Sequence, residues 1–237
     1  MLAEKRPDIT KHYSHFYDEG ASEWRRLGAL GKARNIMDLC TDHRFTRVIE
    51  IGAGDGAILD QLSQAKFALS FTALEVSESA VDVIRGRNID NLDEVILFDG
   101  YSAPCKDADF DLSILSHVVE HVEHPRLLLR EASRVAEYLY VEVPLELKMR
   151  TPRNFEWNNT GHINIYSPLT IRHLIQSTGL EILKERVTIS SYDVHRYSQG
   201  KLAPFRYALK WLALRAVPSV ATGLFTYHWS ALCRSSN

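Results

Sequence analysis

The sequence has few of the features that mark a secreted or membrane-spanning protein. It contains three cysteines, Cys40, Cys105 and Cys233, which lie far apart and form no Cys-x-x-Cys pair. This usage argues against a disulfide framework and predicts reduced thiols in a cytoplasmic protein. No apolar run follows the charged N-terminal residues, so no signal peptide is expected. The longest apolar stretch, residues 211–225, is broken by an arginine, a proline and a glycine and is too short to span a bilayer.

The chain also lacks an excess of basic residues. Its formal net charge is −2, whereas a surface that binds nucleic acid carries a clear positive excess. Hydrophobic residues make up 45% of the sequence, which is ordinary for a globular protein. At 237 residues we expect one main domain with additions, and no nucleic-acid partner.

What the chain does contain is a strand, a glycine-rich turn and a helix in close succession. Residues 47–51 are rich in β-branched side chains, as in a short buried strand. Gly52, Gly54 and Gly56 follow at every second position, and a helical pattern begins at Ala57. Glycine permits a sharp turn and a close approach of the backbone to a ligand, and N–H groups at a helix start attract anions. The stretch therefore predicts a cradle for a small ligand.

Two kinds of cofactor fit this loop. The spacing Gly-x-Gly-x-x-Ala from Gly52 to Ala57 satisfies the looser form of the dinucleotide fingerprint. The pattern acidic-x-Gly-x-Gly-x-Gly from Glu50 to Gly56 is instead typical of loops that hold S-adenosylmethionine. The loop alone does not decide between the two cofactors.

Strand and helix patterns alternate along the rest of the main domain. The predicted strands are 47–51, 69–75, 94–98, 110–115 and 138–143, and the predicted helices are 57–62, a segment that ends near residue 87, and 125–136. Pro144 is expected to end the fifth strand. Such alternation predicts an α/β fold with a doubly wound, mostly parallel sheet.

Acidic and polar residues stand where the predicted strands end. Glu75 lies about twenty residues after the glycine loop, where a carboxylate can bind both ribose hydroxyls of either cofactor. Asp99, followed by Gly100, ends the third strand and can accept a hydrogen bond from an adenine amine. Ser116 and His117 follow the fourth strand. Ligands bind at this edge of an open parallel sheet, so these positions predict a cofactor that contains a nucleoside.

In combination these motifs are similar to those of one family. The loop that begins at Glu50, the strand ends Glu75 and Asp99, and the segment 110–125 resemble a class I S-adenosylmethionine-dependent methyltransferase. Within that superfamily the chain is most similar to the small-molecule branch that includes the ubiquinone-biosynthesis O-methyltransferases. The resemblance covers roughly residues 46–190.

The resemblance implies a Rossmann-like methyltransferase fold with a seven-stranded sheet that ends in an antiparallel hairpin. Residues 180–189 and 223–233 are available for that hairpin. A reversed last strand is not expected of a dinucleotide dehydrogenase and argues against a nicotinamide cofactor.

The resemblance also implies which residues bind the cofactor. Gly52 and Gly54 would approach its methionine part, while Glu75 would bind the ribose. Asp99 would bind the adenine, and Ser116 or its neighbour the amino-acid end. The full set of expected cofactor-binding residues is Glu50, Gly52, Gly54, Gly56, Glu75, Asp99, Gly100 and Ser116.

A histidine-rich segment follows the fourth strand. His117 to His121 reads H-x-x-E-H, the pattern of the inverted zincins, and on a helix the two histidines would share a side and could bind zinc. Pro125 limits such a helix to about two turns, and no obvious third-ligand helix follows, so we expect no metal. The resemblance implies instead that this turn borders cofactor and acceptor. His117, Glu120 and His121 are therefore candidates for deprotonating or orienting the acceptor.

His162 is a further catalytic candidate. It belongs to the segment 161–168, which resembles a segment of the same methyltransferase branch. Either this histidine lies against the acceptor, or it ties down the long loop that begins at Pro144. Ser167 and Pro168 predict the start of the next helix.

The chain carries two additions to the main domain 46–237. The first is a helical cap over residues 1–45, in which Tyr13 and Tyr17 either pack on the domain or close over a ligand. The second, residues 190–222, separates the last two strands and contains a predicted helix at 205–217. That helix is apolar almost all round, so it is expected to be buried. It would cover the acceptor pocket, dock on a second subunit or a membrane surface through residues 202–217, or simply pack on the sheet edge.

The sequence thus predicts an enzyme that transfers a methyl group from S-adenosyl-L-methionine to a small-molecule acceptor, at a hydroxyl or an amine. A nicotinamide-dependent oxidoreductase and a non-catalytic nucleoside-binding domain remain as alternatives.

Overall fold

The protein is organised around one seven-stranded sheet. A computed structural model describes residues 22–151 and 161–235. The strands are β1 (Arg47–Ile51), β2 (Ser70–Glu75), β3 (Leu92–Leu97), β4 (Phe110–Ser116), β5 (Ala136–Leu145), β6 (Leu180–Thr188) and β7 (Tyr227–Ser235). The α-helices of the described ranges are α1 (Ser22–Leu39), α2 (Ala57–Gln64), α3 (Glu78–Gly86), α4 (Pro125–Val135), α5 (Pro168–Gln176), α6 (Tyr192–Gln199), α7 (Ala203–Ala216) and α8 (Pro218–Leu224).

The order of the strands places a ligand-binding crevice in the middle of the sheet. That order is β3-β2-β1-β4-β5-β7-β6, and the first five strands run parallel. The winding reverses between β1 and β4, and open α/β sheets bind ligands beyond the carboxyl ends of the strands at such a point. The predicted doubly wound, mostly parallel Rossmann-like sheet is confirmed.

The last two strands form the expected antiparallel hairpin. β7 lies between β5 and β6 and runs antiparallel to both. The prediction that Pro144 ends β5 is wrong, because the strand continues to Leu145 and Pro144 pairs with His228. Pairing between β5 and β4 ends at Glu142, and the next bridge on that side is at Leu145, so Pro144 pairs on one side only and is tolerated.

Helices cover both sides of the sheet with apolar side chains. On one side, Ile36 of α1 and Leu59 of α2 are fully buried in a cluster with residues of β1 and β2. On the other, Leu129 of α4 and Ile171 of α5 are fully buried in a cluster with residues of β4 and β5. Burial of this kind stabilises a fold by about 25 cal/mol for each Å² of apolar surface. It also holds the strand ends, and therefore the crevice, in fixed positions.

The expected N-terminal cap is described from Ser22 onward, and Tyr13 and Tyr17 lie outside the described residues. Within α1, Asn35 donates hydrogen bonds to the Glu142 carboxylate (3.1 Å) and to the Thr188 hydroxyl (3.2 Å). The helix therefore closes one side of the crevice as well as packing on the sheet.

The inserted segment between β6 and β7 contains α6, α7 and α8. Its longest helix, α7, lies close to the predicted range, but the prediction that this helix is buried is wrong. Phe205 is 71% exposed and Leu212 is 57% exposed. The Tyr227 hydroxyl donates to the Lys210 carbonyl (2.8 Å), and Leu214 packs on the core. A helix that lies on the rim of a sheet has protein on one side only, so an apolar composition does not by itself bury it.

None of the helices in the described part of the chain combines the length and the apolarity needed to cross a bilayer.

Candidate active site

One cavity of about 790 Å³ opens at the carboxyl edge of the sheet. Its volume lies in the range of small-molecule binding sites. Of the predicted residues, those that line it are Glu50, Gly52, Gly54, Glu75, Asp99, Gly100, Ser116, His117, His121 and His162. Gly56 and Glu120 do not line it. The expected cofactor and acceptor residues therefore meet in a single space.

The glycine loop forms the floor of this cavity in a conformation that needs glycine. Gly52, Gly54 and Gly56 have φ angles of +76°, +60° and +73°, in the left-handed region that other residues rarely adopt. A Cβ atom on Gly52 would lie 2.7 Å from Cγ2 of Val118, which is too close for any side chain. The loop therefore passes close beneath the turn after β4 and leads directly into α2.

The loop is also held from outside by an ion-pair cluster. Asp55 accepts hydrogen bonds from Arg25 of α1 (3.2 Å) and from Arg87, just after α3 (2.8 Å). All three side chains are at least partly buried, so solvent screens these contacts less than it screens surface pairs. The contacts join the N-terminal helix and α3 to the cofactor loop.

Glu75 ends β2 and points back to the glycine loop. Its carboxylate accepts hydrogen bonds from the backbone N–H groups of Gly54 (2.7 Å) and Val76 (2.8 Å). Burial raises the pKa of Glu75 above its ordinary value, although these N–H groups act in the opposite direction. Glu75, the residue predicted to bind the ribose, thus lies at the cavity wall where the glycine loop contacts the end of β2.

Two polar atoms at the cavity wall have no hydrogen-bond partner among the described residues. They are Oε2 of Glu50 and Oγ of Ser116, both buried. Burial raises the pKa of Glu50 well above its ordinary value. Buried polar atoms are almost always hydrogen-bonded, so orphaned ones at a cavity wall indicate that a ligand supplies the partner. A cofactor with an ammonium group and hydroxyl groups fits this requirement.

Asp99 follows β3 and is exposed at the mouth of the cavity. Its Oδ1 accepts hydrogen bonds from the N–H groups of Tyr101 (2.8 Å) and Ser102 (2.7 Å), which lower its pKa. Gly100 has a φ of +93° and turns the chain away after the carboxylate. Oδ1 is thus held by its own loop at the position expected for an adenine contact.

The histidine-rich segment is a turn and not a helix. His117 has a φ of +60°, and residues 117–124 form a turn closed by the hydrogen bond from His121 N–H to the Val118 carbonyl (2.9 Å), with no helix before α4 begins at Pro125. His117 and His121 therefore do not share a helical side, and the inverted-zincin arrangement is not formed. Instead the two histidines belong to different clusters.

The first cluster contains Glu120, His121 and His162. Nδ1 of His121 lies 3.1 Å from the Gly161 carbonyl, which can only accept, so Nδ1 carries the hydrogen and the neutral ring has its lone pair at Nε2. Nδ1 of His162 lies 2.6 Å from the Glu146 carboxylate, and the two imidazole rings are 4.8 Å apart. Burial lowers the pKa of His121, which favours the neutral base. The contact with Glu146 agrees with the interpretation that His162 ties down the loop, and its position against the acceptor stays a prediction.

The second cluster contains His117, Glu142 and His228. Nε2 of His117 lies 2.9 Å from Nδ1 of His228, and Nε2 of His228 lies 2.7 Å from the Ser190 hydroxyl. Oε1 of Glu142 lies 3.8 Å from His117 and 3.6 Å from His228. Glu120 joins the two clusters, because its Oε1 lies 3.2 Å from Nδ1 of His117 and 4.0 Å from Nε2 of His121.

Glu142, His228 and Ser190 were not predicted as site residues. Glu142 did carry a signal, since a carboxylate inside the apolar strand run that starts at Tyr138 is unusual without a partner or a function. His228 belongs to the polar alternation of β7, but only the pairing of β7 with β5 brings it to Glu142. Ser190 carries no local signal of this kind.

Solved structures share this architecture at low sequence identity. An S-adenosylmethionine-dependent methyltransferase from Aquifex aeolicus is 16% identical, with a TM-score of 0.57 over 96% of this chain and 99% of that chain. A Thermotoga maritima methyltransferase, described as a possible histamine N-methyltransferase, is 16% identical, with a TM-score of 0.63 over 94% of this chain and 98% of that chain. The [4+2]-cyclase SpnF is 17% identical, with a TM-score of 0.63 over 86% and 80%. These likenesses show the fold. No curated protein sequence matches the chain significantly.

The protein thus has a doubly wound sheet with an antiparallel last strand, and a cavity lies at the carboxyl edge of that sheet. The model of the methyltransferase-domain family matches residues 15–185, and the chain belongs to this family. It is an S-adenosyl-L-methionine-dependent methyltransferase. The family decides between the two cofactors that fit the glycine loop, and the nicotinamide alternative is wrong.

Proposed function

We propose that the enzyme methylates a hydroxyl or amine group of a small-molecule acceptor. The observation that carries this proposal is that a single cavity joins the glycine cradle to the His121 and His162 pair. A base whose lone pair lies at one end of a cofactor cavity suits an acceptor that loses a proton when it is methylated.

In this proposal the cofactor binds along the carboxyl ends of β1 to β4. Gly52 and Gly54 let the backbone approach its methionine part, while Glu75 binds the ribose hydroxyls. Asp99 and Gly100 receive the adenine, and Glu50 and Ser116 supply acceptors for the ammonium group. When bound, S-adenosylmethionine supplies an already activated methyl group on its sulfonium. The chain therefore mainly has to place the acceptor in line with that group.

His121 is the proposed general base. Its neutral ring accepts the acceptor proton at Nε2, and its Nδ1–H stays hydrogen-bonded to the Gly161 carbonyl. Glu120 is fully buried beside it and stabilises the imidazolium that forms. His162, held by Glu146, positions the ring of His121 and borders the acceptor. The third histidine, His117, shares Glu120 and lies at the same end of the cavity.

Apolar side chains at this end indicate what the acceptor carries. Val118, Val122, Ile189 and Val194 all line the cavity. They suit a ring or a hydrocarbon chain next to the methylated group. This agrees with the resemblance to the ubiquinone-type O-methyltransferases, so an O-methylated ring is the preferred acceptor within the proposal.

We also propose that α7 docks on a membrane surface where such an acceptor resides. Phe205 and Leu212 are exposed apolar residues on this helix, and the exposed cations Arg206 and Arg215 suit anionic headgroups. Replacing Phe205 and Leu212 by serine should abolish sedimentation with anionic vesicles and leave turnover of a soluble acceptor unchanged. Equal sedimentation of the wild-type protein and the variant would refute membrane docking. If the wild-type protein is a dimer and the same substitutions dissociate it, this surface binds a second subunit instead.

The methyl-transfer proposal is tested with labelled S-adenosylmethionine and fractionated metabolite extracts. We expect label to appear in a small apolar product with wild-type enzyme and to be strongly reduced with His121→Ala. His173→Ala is the matched control, because His173 lies on α5 and does not line the cavity. Transfer of label only to protein or nucleic acid would refute the small-molecule proposal.

A further inference from the structure

The cluster of His117, Glu142 and His228 has the geometry of a metal site. The distances between Nε2 of His117, Nδ1 of His228 and Oε1 of Glu142 are 2.9, 3.6 and 3.8 Å. A triangle of this size has a point about 2.0 Å from all three atoms, and Zn²⁺ binds histidine nitrogen and carboxylate oxygen at about 2.0–2.2 Å. The three atoms belong to separate strands or strand ends, so no local turn imposes this spacing.

Each of the three side chains is also held by a polar partner on its far side. Oε1 of Glu120 lies 3.2 Å from Nδ1 of His117, and the Ser190 hydroxyl lies 2.7 Å from Nε2 of His228. Oε2 of Glu142 accepts a hydrogen bond of 2.6 Å from the Tyr140 hydroxyl. Metal-binding histidines and carboxylates are normally oriented by such outer partners, which fix the ring tautomer and leave the inner atom to the metal.

Two buried carboxylates lie at this position. Glu120 and Glu142 are both fully buried, and within residues 22–151 and 161–235 neither forms an ion pair with a lysine or an arginine.

A hydrogen-bonded chain without a metal explains only part of this arrangement. Ser190, His228, His117 and Glu120 can be joined in sequence through the three contacts of 2.7, 2.9 and 3.2 Å. Glu142 then lies beyond hydrogen-bonding distance of both rings, and its Oε1 accepts a hydrogen bond from Asn35 (3.1 Å). A carboxylate oxygen has two lone pairs, so Oε1 can keep this hydrogen bond and still bind a metal ion. A metal ion accounts for all three inner atoms at once.

We propose that His117, Glu142 and His228 bind a divalent first-row transition-metal ion, such as Zn²⁺ or Fe²⁺. Two imidazoles and one carboxylate favour these ions over Mg²⁺, which prefers oxygen ligands. All three residues line the cavity, so a metal ion that they bind would lie at the cavity wall. An oxygen of the acceptor bound there loses its proton more readily, which is a role that rests on the proposed methyl transfer.

The site is tested first by metal binding alone. Full-length protein is stripped with a chelator and titrated with Zn²⁺ against a chromophoric competitor, in the absence of cofactor and acceptor. We expect one equivalent to bind, with no comparable binding of Mg²⁺. Glu142→Gln and His228→Asn should each weaken Zn²⁺ binding at least tenfold, and Ser190→Ala should weaken it less. The absence of stoichiometric binding by wild-type protein would overturn the proposal.

Two further variants locate the ion. His173→Ala removes a histidine outside the cavity and should leave Zn²⁺ affinity unchanged. His162→Ala removes a histidine of the neighbouring cluster, and we expect it also to leave the affinity unchanged. Loss of binding in His162→Ala with full binding in His228→Asn would place the metal at Glu120, His121 and His162 and refute the assigned site. Circular dichroism verifies that each variant is folded. If a variant does not fold, the absorption spectrum of Co²⁺ bound to the wild-type protein shows instead which types of residue bind the metal.

The catalytic role is tested separately. If Zn²⁺ binds at this site but its removal leaves methyl transfer unchanged, the metal site is confirmed and its proposed role in activating the acceptor is refuted. If Zn²⁺ binds and no small molecule is methylated by the loaded enzyme, the proposed function fails and the metal site remains.

Discussion

The two ends of the cavity are built in different ways. At the cofactor end, the groups come from the ends of β1, β2 and β4 and from the loops after β1 and β3, and backbone N–H groups hold Glu75 and Asp99. At the acceptor end, His121, His162, Glu142 and His228 come from places up to about a hundred residues apart. Their contacts exist only because β7 runs antiparallel beside β5 and because the loop after β5 returns over the turn after β4. The cofactor end thus depends mainly on short loops and strand ends, whereas the proposed acceptor end depends on contacts between residues far apart in sequence.

This difference predicts that substitutions at the two ends have separable effects. A residue of the acceptor end should change turnover without changing cofactor affinity, and a residue of the cofactor end should do the reverse.

The largest effect is expected at the acceptor end. His121→Ala removes the proposed base and should lower kcat by about 10²-fold. The dissociation constant for S-adenosylhomocysteine should stay within a factor of about two, because the proposed cofactor residues are untouched. Full turnover in the variant would show that His121 is not the general base. The turnover of His162→Ala would then be measured.

The second effect is expected at Glu75. Glu75→Ala removes a charged hydrogen-bond acceptor and should weaken binding of S-adenosylmethionine by roughly ten- to a hundredfold, or about 1.5–3 kcal/mol. Calorimetry measures this change in affinity. Glu78→Ala is a matched control, because Glu78 is an exposed glutamate three residues further on, at the start of α3. Turnover at saturating cofactor should change little. An unaltered affinity in folded Glu75→Ala protein would contradict the assigned ribose contact.

The third effect tests whether the loop needs its shape. Gly52→Ala places a Cβ against Val118 at a positive φ, which alone costs about 1–2 kcal/mol. Cofactor affinity should fall by about tenfold or more. Gly86→Ala is the control, since a Cβ there meets nothing within 4 Å and the residue lies in α3. Equal affinities in the two variants would show that the cradle tolerates a displaced loop.

The smallest effect is a shift in pH dependence. The proposed base acts when it is deprotonated, and burial lowers the pKa of His121. The acid limb of kcat/KM should therefore lie below the ordinary histidine pKa of about 6.5, with full activity kept at neutral pH and lost on further acidification. His121→Ala should remove that limb from the residual activity. A limb above the ordinary value would show that a different group controls the rate.

Several features were predictable because they depend on neighbours in sequence. Three glycines in one loop favour a left-handed backbone conformation, and the φ angles of all three are positive. The carboxylate of Glu75 was predictable in the same way, because a parallel strand brings its end to a known edge of the sheet. The direction of the last hairpin followed only from the resemblance to a family.

Other features were not predictable, because they depend on distant contacts. The H-x-x-E-H pattern suggests a helix, yet the positive φ of His117 turns the chain and sends the two histidines to different partners. The apolar composition of α7 suggests burial, yet the helix lies on the rim of the sheet with Phe205 exposed.

The sequence by itself determined the alternating strands and helices, the glycine cradle and the residues at the strand ends, because periodicity and backbone preferences act over a few residues. Only the tertiary structure decided that Glu142 and His228 stand beside His117, and that His162 stands beside His121. Strand register and loop closure set those distances, and both follow from packing of the whole chain around one core.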